Sequence, residues 1–474
     1  MLYPGDLVVL DIPYRDPVAA FQPLAHEPFA QLLVSAPGAA GGGQYSFIVA
    51  TPVDTLIATK SRIETQGRAG ATGNPFEVLR ARLNAAPVPS IPGLPPFQGG
   101  AVGFFGYEML HHLETLRGQH RRQDPDRPDM AFGFYECVAA FDHQRRKAYV
   151  LSWPLTCTKP EAEARARALA DHLGSGTVSH PPSGPPPAVP RSNLTRQAYE
   201  TAVDRVMSHI FDGDIYQANI SQNFTTEIAT PAHAFDLFCC LNALSPVSYG
   251  AYLNFPGLTL ASNSPERFVR FADPRGARRA ESRPIKGTIA RGANVQEDAA
   301  QAQALAASEK DRAENIMIVD LMRNDLSKVC EDDSVRVTGM CEIESYTAIH
   351  HLVSTVTGTV RPGKDAIDLV TACFPGGSIT GAPKVRAMEI IAEQEGLARG
   401  AYCGAIGYLG FDGAMDTNIA IRTLSFFPIP HSTALELSFG VGGGITARSE
   451  PAAEYEESLA KAAAFFKALG AVPC

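Results

Sequence analysis

Two short stretches place a lysine and a glutamate in settings unlike ordinary surface charge. Residues 283–292 read RPIKGTIARG, with Lys286 between an isoleucine and a glycine, and residues 262–271 read SNSPERFVRF, with Glu266 just after a proline-imposed turn. An amine withdrawn from water loses its proton more readily and becomes a nucleophile; a carboxyl group within reach then serves as general acid or base. On residue type alone, an inert ion pair between the two is the commoner arrangement.

Four further acids stand in two pairs. In SEKDRAENIMIVDLMRNDLSK (308–328), Ser308 and Asp311 fit a helix capping box, and Asp311 and Glu314 lie i, i+3 on the helix that follows. In RSEPAAEYEESLAKAAAFFKALG (448–470), Ser449 is the expected helix start, Pro451 falls in the first turn, Gly470 closes the helix, and Glu454 and Glu457 repeat the i, i+3 spacing. Glu457 with Lys461 at i+4 also reads as an ordinary surface pair. Should the two helices converge, their carboxylates would form a hard oxygen site suited to magnesium, which takes few protein ligands and keeps places for water and substrate.

Two glycine-rich runs offer backbone amides to an anion. FPGGSITGAPKVRAMEII (374–391) is a loop leading into a helix with Pro383 near its first turn, and it holds Thr380, Gly381 and Lys384. It is not a nucleotide P-loop, because Ala382 and Pro383 intervene before Lys384. FGVGGGITA (439–447) carries Gly442, Gly443 and Gly444 after a strand. Single polar residues on expected strands complete the inventory: His351 in HHLVSTVTG, Tyr402 in AYCGAIGY, and Arg422 in TNIAIRTLSF, where alternation groups it with Asn418 and Ala420. An inward-facing arginine usually grips a carboxylate; a lone histidine is more often a satisfied core residue.

The elements that must position these groups fall on either side of one composition break. SHPPSGPPPAVPRSN (179–193) is too proline-rich for helix or sheet and reads as a linker between an N-terminal α+β region, 1–178, and a catalytic domain, 194–474. In the first, FGFYECVAAFDHQRRKAYVLSW predicts two strands about a polar turn, followed by an alanine-rich helix from Pro160 to Leu173. In the second, Thr195 caps a helix whose Tyr199, Val203, Val206 and Ile210 share a face and which ends at Gly213. The 474 residues carry 41 basic and 50 acidic side chains, a formal net charge of -9, which disfavours nucleic acid or an anionic membrane as partner. No long apolar run or signal peptide is visible, so a cytoplasmic location is expected. The nine cysteines show no C-x-x-C, and none lies in the G-x-C-x-G setting of a glutaminase nucleophile.

Taken together, GDIYQANISQNF, SPERF, RPIKGT, DRAENIMIVDLMRNDL, HHLVSTVTG, FPGGSITGAPKVRAMEII and EYEES follow one another as they do in the chorismate-utilising enzymes, which the chain resembles densely over 195–468. The resemblance implies an α+β fold of stacked, mainly antiparallel sheets with outer helices and a chorismate cleft between the layers. It implies that Glu314 and Glu457 ligate Mg2+, with Asp311 and Glu454 supporting through water, and that the metal holds the ring carboxylate. Arg422, Tyr402 and the amides of Gly442 to Gly444 match positions that bind the enolpyruvyl carboxylate. Thr380, Gly381 and Lys384 belong to the signature loop, Lys461 stands among the substrate-binding positions, and His351 matches a histidine beside the reacting ring.

Three positions point to the branch that forms aminodeoxychorismate, on the route to 4-aminobenzoate and folate. Water-adding members carry a lysine where this chain has Gln217, which cannot serve as a base. Anthranilate-forming members read PIAGT or PLAGT, with a small residue at the place of Lys286, and QVVPS where this chain reads QANIS with Asn219. The resemblance implies that the C4 hydroxyl of chorismate is replaced by nitrogen through a Lys286 adduct at C2, with Glu266 as proton donor and acceptor. The resemblance also implies ammonia from a separate class I glutaminase subunit. The chain departs from the family at LLVS (32–35) and QYS (44–46), where Val34 and Gln44 replace an acid and a base of a tryptophan pocket. The rival readings are an anthranilate synthase component I and a catalytically silent relative.

Overall fold

The computed structural model describes residues 7–36, 43–60, 62–66, 68–71, 73–117, 126–174, 189–229, 232–272, 277–346 and 349–470. Among them the strands form two sheets of twelve, and every pairing between strands is antiparallel. The first sheet runs from Val8–Ile12 through Gln31–Val34, Tyr249–Phe255, Leu258–Ser264, Thr423–Pro428 and Leu435–Ile445 to Gln217–Ile228 and Arg191–Ser192. The second runs from Ile285–Ala290 through Ile349–Thr359, Arg279–Arg283, Arg267–Ala272, Met415–Ile419, Ala405–Gly410 and Gly100–Phe105 to Arg68–Ala71.

Burial explains the stacking. Phe47, Val49 and Leu253 of the first sheet meet Val102, Phe104 and Tyr408 of the second in one core, so each sheet hides one face on the other. The outer faces are covered by helices. Phe224, Phe439 and Leu437 pack against Phe465 and Phe466 of the helix Pro451–Ala468, while Phe268, Val269 and Val356 pack against Ile318 and Met322 of the helix Glu309–Ser327. The result is the α+β arrangement of stacked sheets between helices, held mainly by apolar burial.

The proline-rich boundary seen in the sequence does not divide the sheets. Gln31–Val34 pairs with Tyr249–Phe255, and Gly100–Phe105 pairs with Ala405–Gly410, so both sheets join strands from either side of it. Residues 179–188 of that stretch lie outside the described residues, and Arg191–Ser192 is a short strand on Gln217–Ile228 rather than linker. The segment 132–153 also differs from the expected two strands. It forms three, Met130–Tyr135, Cys137–Asp142 and Lys147–Ser152, because the chain leaves the second sheet at Glu136 and enters the first.

Helix ends follow the local chemistry with one exception. The Thr195 hydroxyl accepts from Ala198 N to start Arg196–Phe211, with Tyr199, Val203 and Val206 buried. Ser308 likewise starts Glu309–Ser327. Ser449, the expected cap of the last helix, is displaced from that role by Glu450; its hydroxyl donates instead to Glu454 Oε1 at 2.7 Å. The alanine-rich helix spans Lys159–His172. All eight described cysteines are free thiols, six of them buried, and no helix among the described residues is long and apolar enough to cross a membrane.

Candidate active site

Glu266 sits where the chain crosses from Leu258–Ser264 of the first sheet to Arg267–Ala272 of the second. The crossing is held by Ser264, whose hydroxyl donates to Ile419 O at 2.6 Å, and by Ile419 N donating to Glu266 O at 3.0 Å. The residue is 4 % exposed. Oε1 accepts from the Ser378 hydroxyl at 2.8 Å and, more distantly, from Ile285 N at 3.4 Å. Burial pushes the acid up to about 7, against the downward pull of Ser378 and of the Lys286 charge.

Lys286 lies near the start of Ile285–Ala290, where the register slips between Ile285 and Thr288. Such a bulge re-aims a side chain. Gly287 permits it: its φ is +84°, and a Cβ there would stand 2.9 Å from the Asp311 side chain. The amine donates to Ser378 O at 3.2 Å and has no ion pair among the described residues. Although the residue as a whole is half-buried, its amine end is enclosed, and the loss of water lowers its pKa; Glu314, Glu266 and Glu457 oppose that shift and Lys461 reinforces it.

The four acids line the wall beside this amine. Burial and the neighbouring charges of Asp311 and Glu454 keep Glu314 raised, and its Oε1 is buried with no hydrogen-bond partner. Glu454 is raised by burial and by Glu457, although the Ser449 hydroxyl works against this. For Glu457, burial alone would act upward, but Lys461, whose Nζ lies 2.8 Å from Oε1, outweighs it and the pKa falls. Asp311 accepts from the Ser308 hydroxyl at 2.5 Å. Among the described residues, no three Asp, Glu, His or Cys side chains stand close enough to enclose one ion. The donor chemistry nevertheless fits magnesium, which needs only one or two carboxylates and water: Glu314 offers an unpartnered oxygen amid mutually repelling acids.

A wall of glycine adjoins these acids. Leu435–Ile445 pairs with Gln217–Ile228 so that Gly442, Gly443 and Gly444 face Ser221, Ile220 and Asn219. A Cβ at Gly444 would lie 2.4 Å from Gln217 Nε2 and 3.3 Å from Lys286 Nζ; one at Gly443 would lie 3.1 Å from Glu454. Bare backbone is therefore what leaves room here. Lys461 also donates to Gly442 O at 2.8 Å. Both amide atoms of the Gln217 side chain, and Nδ2 of Asn219, are buried without partners.

His351, on Ile349–Thr359, shares a bond of 2.8 Å between Nδ1 and the Thr288 hydroxyl, while Nε2 is buried and unpartnered. Burial, then the Arg422 charge, brings its pKa down to about 3, so the ring is neutral. Arg422 is not on a strand face with Asn418 and Ala420 as alternation predicts. It lies at the second crossing, between Met415–Ile419 and Thr423–Pro428, at φ +51°, because Ile421 N turns back to Ile419 O at 2.7 Å. Its guanidinium has no carboxylate partner among the described residues, and burial lowers its pKa. Tyr402 likewise precedes its strand, in a turn, with its ring filling the space beside Gly440.

In the signature loop, Thr380 donates to Gly376 O at 2.9 Å, and Gly381 pairs with Ala218. Lys384 departs from the expected substrate contact. Its amine is spent on Asp325 Oδ2 at 2.5 Å and Cys373 O at 2.7 Å, because the buried Asp325 carboxylate requires a counter-charge. It anchors the loop to the helix Glu309–Ser327. Sequence reasoning missed two residues. Ser378 bridges Glu266 and Lys286, and only its presence in the loop hinted at a role. Arg399, buried against Glu395, donates to Ile379 O at 2.9 Å and Asn219 O at 2.7 Å, tying the loop to the glycine wall. Val34 and Gln44 line a separate cavity of about 370 Å3 between the sheets, which Lys286, Glu266, Ser378, Arg422 and the four acids do not border.

Comparison with known proteins agrees with this geometry. The profile of the chorismate binding enzyme family matches residues 33–467. The aminodeoxychorismate synthase component 1 of Salmonella typhimurium is 40% identical over 463 residues, covering 96% of each chain. The anthranilate synthase component 1 of Pseudomonas aeruginosa is 37% identical, covering 96% of this chain and 93% of its own. Among solved structures, anthranilate synthase component I from Streptococcus pneumoniae superposes with a TM-score of 0.74 at 28% identity, covering 90% of this chain and 92% of the other. The chain belongs to the chorismate-binding enzymes.

The raised acid has a consequence for stability. Because Glu266 is held at about 7 against its usual 4.5, the unfolded chain gives up that proton first, and folding weakens as pH rises between those values. The loss amounts to about 3 kcal/mol, is constant at higher pH, and vanishes at lower pH. Glu266→Gln removes it. The melting temperature of the variant relative to wild type is expected to climb between pH 4.5 and 7 and then level off; calorimetric scans showing a flat difference would contradict a buried protonated acid.

Proposed function

We propose that this member of the chorismate-binding enzymes replaces the C4 hydroxyl of chorismate with ammonia, forming 4-amino-4-deoxychorismate through a transient bond between Lys286 and C2 of the ring. One observation carries the reading: an enclosed amine whose pKa is lowered and a buried carboxyl group held at about 7 share the single residue Ser378. An amine and an acid in neutral form are what the first step consumes. The anthranilate-forming members have a small residue at this lysine and leave C2 open to ammonia.

In the first step the neutral Lys286 amine adds to C2, the ring double bonds shift, and the C4–O bond breaks as Glu266 gives its proton to the departing hydroxyl, which leaves as water. The adduct nitrogen keeps both of its protons as a secondary ammonium, so that it can later leave as the neutral amine, and Glu266 is left as the carboxylate. In the second step ammonia adds to C4, the double bonds shift back, the C2–N bond breaks, and the lysine leaves; Glu266 accepts a proton from the incoming nitrogen. Two displacements replace one difficult exchange. Gln217 offers no base for water, which keeps hydrolysis out of the sequence.

Binding falls to the charged walls. Arg422, free of any acid, and the bare backbone of Gly442 to Gly444 suit the enolpyruvyl carboxylate, with Tyr402 behind them. His351, neutral, lies beside the ring. Glu314 and Glu457 would hold magnesium directly, with Asp311 and Glu454 through water, and when bound it supplies positive charge to the ring carboxylate. Lys461 neutralises Glu457 until then. The ammonia is proposed to come from a separate class I glutaminase subunit, since ammonium dominates near neutral pH and is not a nucleophile; the component 1 designation of the relatives supports a partnered chain.

The second reading is an anthranilate synthase component I, favoured by the relative of that name at 37% identity. Incubation with chorismate, magnesium and an ammonium salt separates the two. Aminodeoxychorismate requires an added lyase to become 4-aminobenzoate, whereas fluorescent anthranilate formed directly sinks the main reading. Lys286→Ala is expected to slow aminodeoxychorismate formation roughly a hundredfold or more, with some anthranilate appearing as C2 opens to ammonia. An unchanged rate and product refutes the covalent role. For the metal, Glu314→Gln is expected to weaken magnesium binding in titration calorimetry at least roughly tenfold; equal affinity removes Glu314 from the ligand set.

A further inference from the structure

We propose that Ser378 is the positioning residue of the reaction centre, holding acid and nucleophile in register from one point: its hydroxyl donates to Glu266 Oε1 at 2.8 Å and its carbonyl accepts from Lys286 Nζ at 3.2 Å. The inference deepens the function proposed above and rests on the acid and amine roles given there.

The serine is fixed by its surroundings. It occupies a single 3-10 turn, Gly377–Ile379, wedged between a strand and a helix. A Cβ at Gly376 would stand 2.4 Å from Ile419 Cδ1, and one at Gly377 would stand 2.6 Å from the Leu321 side chain, so the turn lies against Met415–Ile419 and Glu309–Ser327 with no space to spare. Thr380 closes it by donating to Gly376 O at 2.9 Å. The two groups that Ser378 joins lie 112 and 92 residues before it in the chain, and this turn is their common reference.

Both protein bonds to the acid fall on Oε1, from the Ser378 hydroxyl and from Ile285 N at 3.4 Å. Oε2 has no partner among the described residues and is thereby the oxygen left to exchange a proton with substrate. The charged and titratable groups facing the carboxyl group are the Lys286 amine and the thiol of Cys403, which burial pushes up to about 12 and so keeps uncharged. A hydroxyl donor favours the carboxylate and burial favours the acid. Removing the hydroxyl leaves burial less opposed. The carbonyl contact to Lys286 belongs to the backbone and survives the change.

The test is the pH profile of kcat for the full chain with magnesium, saturating chorismate and free ammonia held saturating at each pH. In Ser378→Ala, kcat is expected to fall about tenfold or more, KM for chorismate to change less than about twofold, and the alkaline limb, which reports loss of the acid proton, to move up by about one pH unit. Ser378→Thr, which keeps the hydroxyl, is expected to return the limb to the wild-type position. Ser378→Cys, nearly isosteric and a poor donor, repeats the shift should the alanine variant not fold. A lower rate with the limb unmoved in both the alanine and cysteine variants, or a threonine variant that fails to restore it, overturns the proposal. The wild-type product, identified in the same reactions, judges the assigned reaction separately: anthranilate would end that reading, while the limb position still decides the role of the serine.

Discussion

Withholding water from one amine and one carboxyl group is the constraint around which this molecule is organised. Neither group would be neutral in solvent near neutral pH, and the covalent catalysis proposed for Lys286 needs both to be so at the start. Enclosure of the amine end lowers the one, and burial raises the other to about 7. Because burying a group costs least when it is uncharged, the fold tolerates the pair in the states that the proposed chemistry uses. Had the two been closed into a tight ion pair, each would have been stabilised in the wrong form.

The sheets supply that enclosure at their crossings. Glu266 and Arg422 both stand where the chain passes from one sheet to the other, and the crossings are stitched together by Ser264 to Ile419 and by Asn263 to Arg422. A crossing places backbone at the seam between layers, where a side chain is shielded by both sheets yet opens toward the glycine wall. Arg399 and Lys384 then fix the loop that carries Ser378, one to the first sheet and one to the helix Glu309–Ser327. Apolar packing of Phe47, Phe104 and Tyr408 keeps the sheets at a constant spacing, so that this seam does not drift.

Charge is divided between two sides of the cleft. Acids gather on the ends of two helices, with all four influencing Lys286 or one another, whereas the far side offers Arg422 without an acid partner among the described residues. A substrate with two carboxylates can settle across such a field in one orientation only if a cation offsets the acidic side. Lys461, shared between Glu457 and Gly442 O, and the unpartnered oxygen of Glu314 are consistent with a wall built to exchange its counter-charge.

Sequence by itself determined the groups available and the elements nearest to them. The Thr195 and Ser308 caps were legible because capping depends on bonds three residues apart. The acid pairs were legible because their spacing lies within one helical turn, and the absence of a side chain at Gly444 was legible because it is a matter of composition. Lys286, Glu266 and Gln217 could be picked out as a set only through their order along the chain. Tertiary structure alone decided the rest, because desolvation and partner choice depend on residues far apart in sequence. Lys384 found Asp325 rather than substrate; Ser449 gave its hydroxyl to Glu454; Arg422 left its expected strand for a left-handed turn. Ser378 came to join two groups that no periodicity connects to it, since the meeting of an amine, an acid and a hydroxyl at one seam is a property of how layers stack and not of any local run of residues.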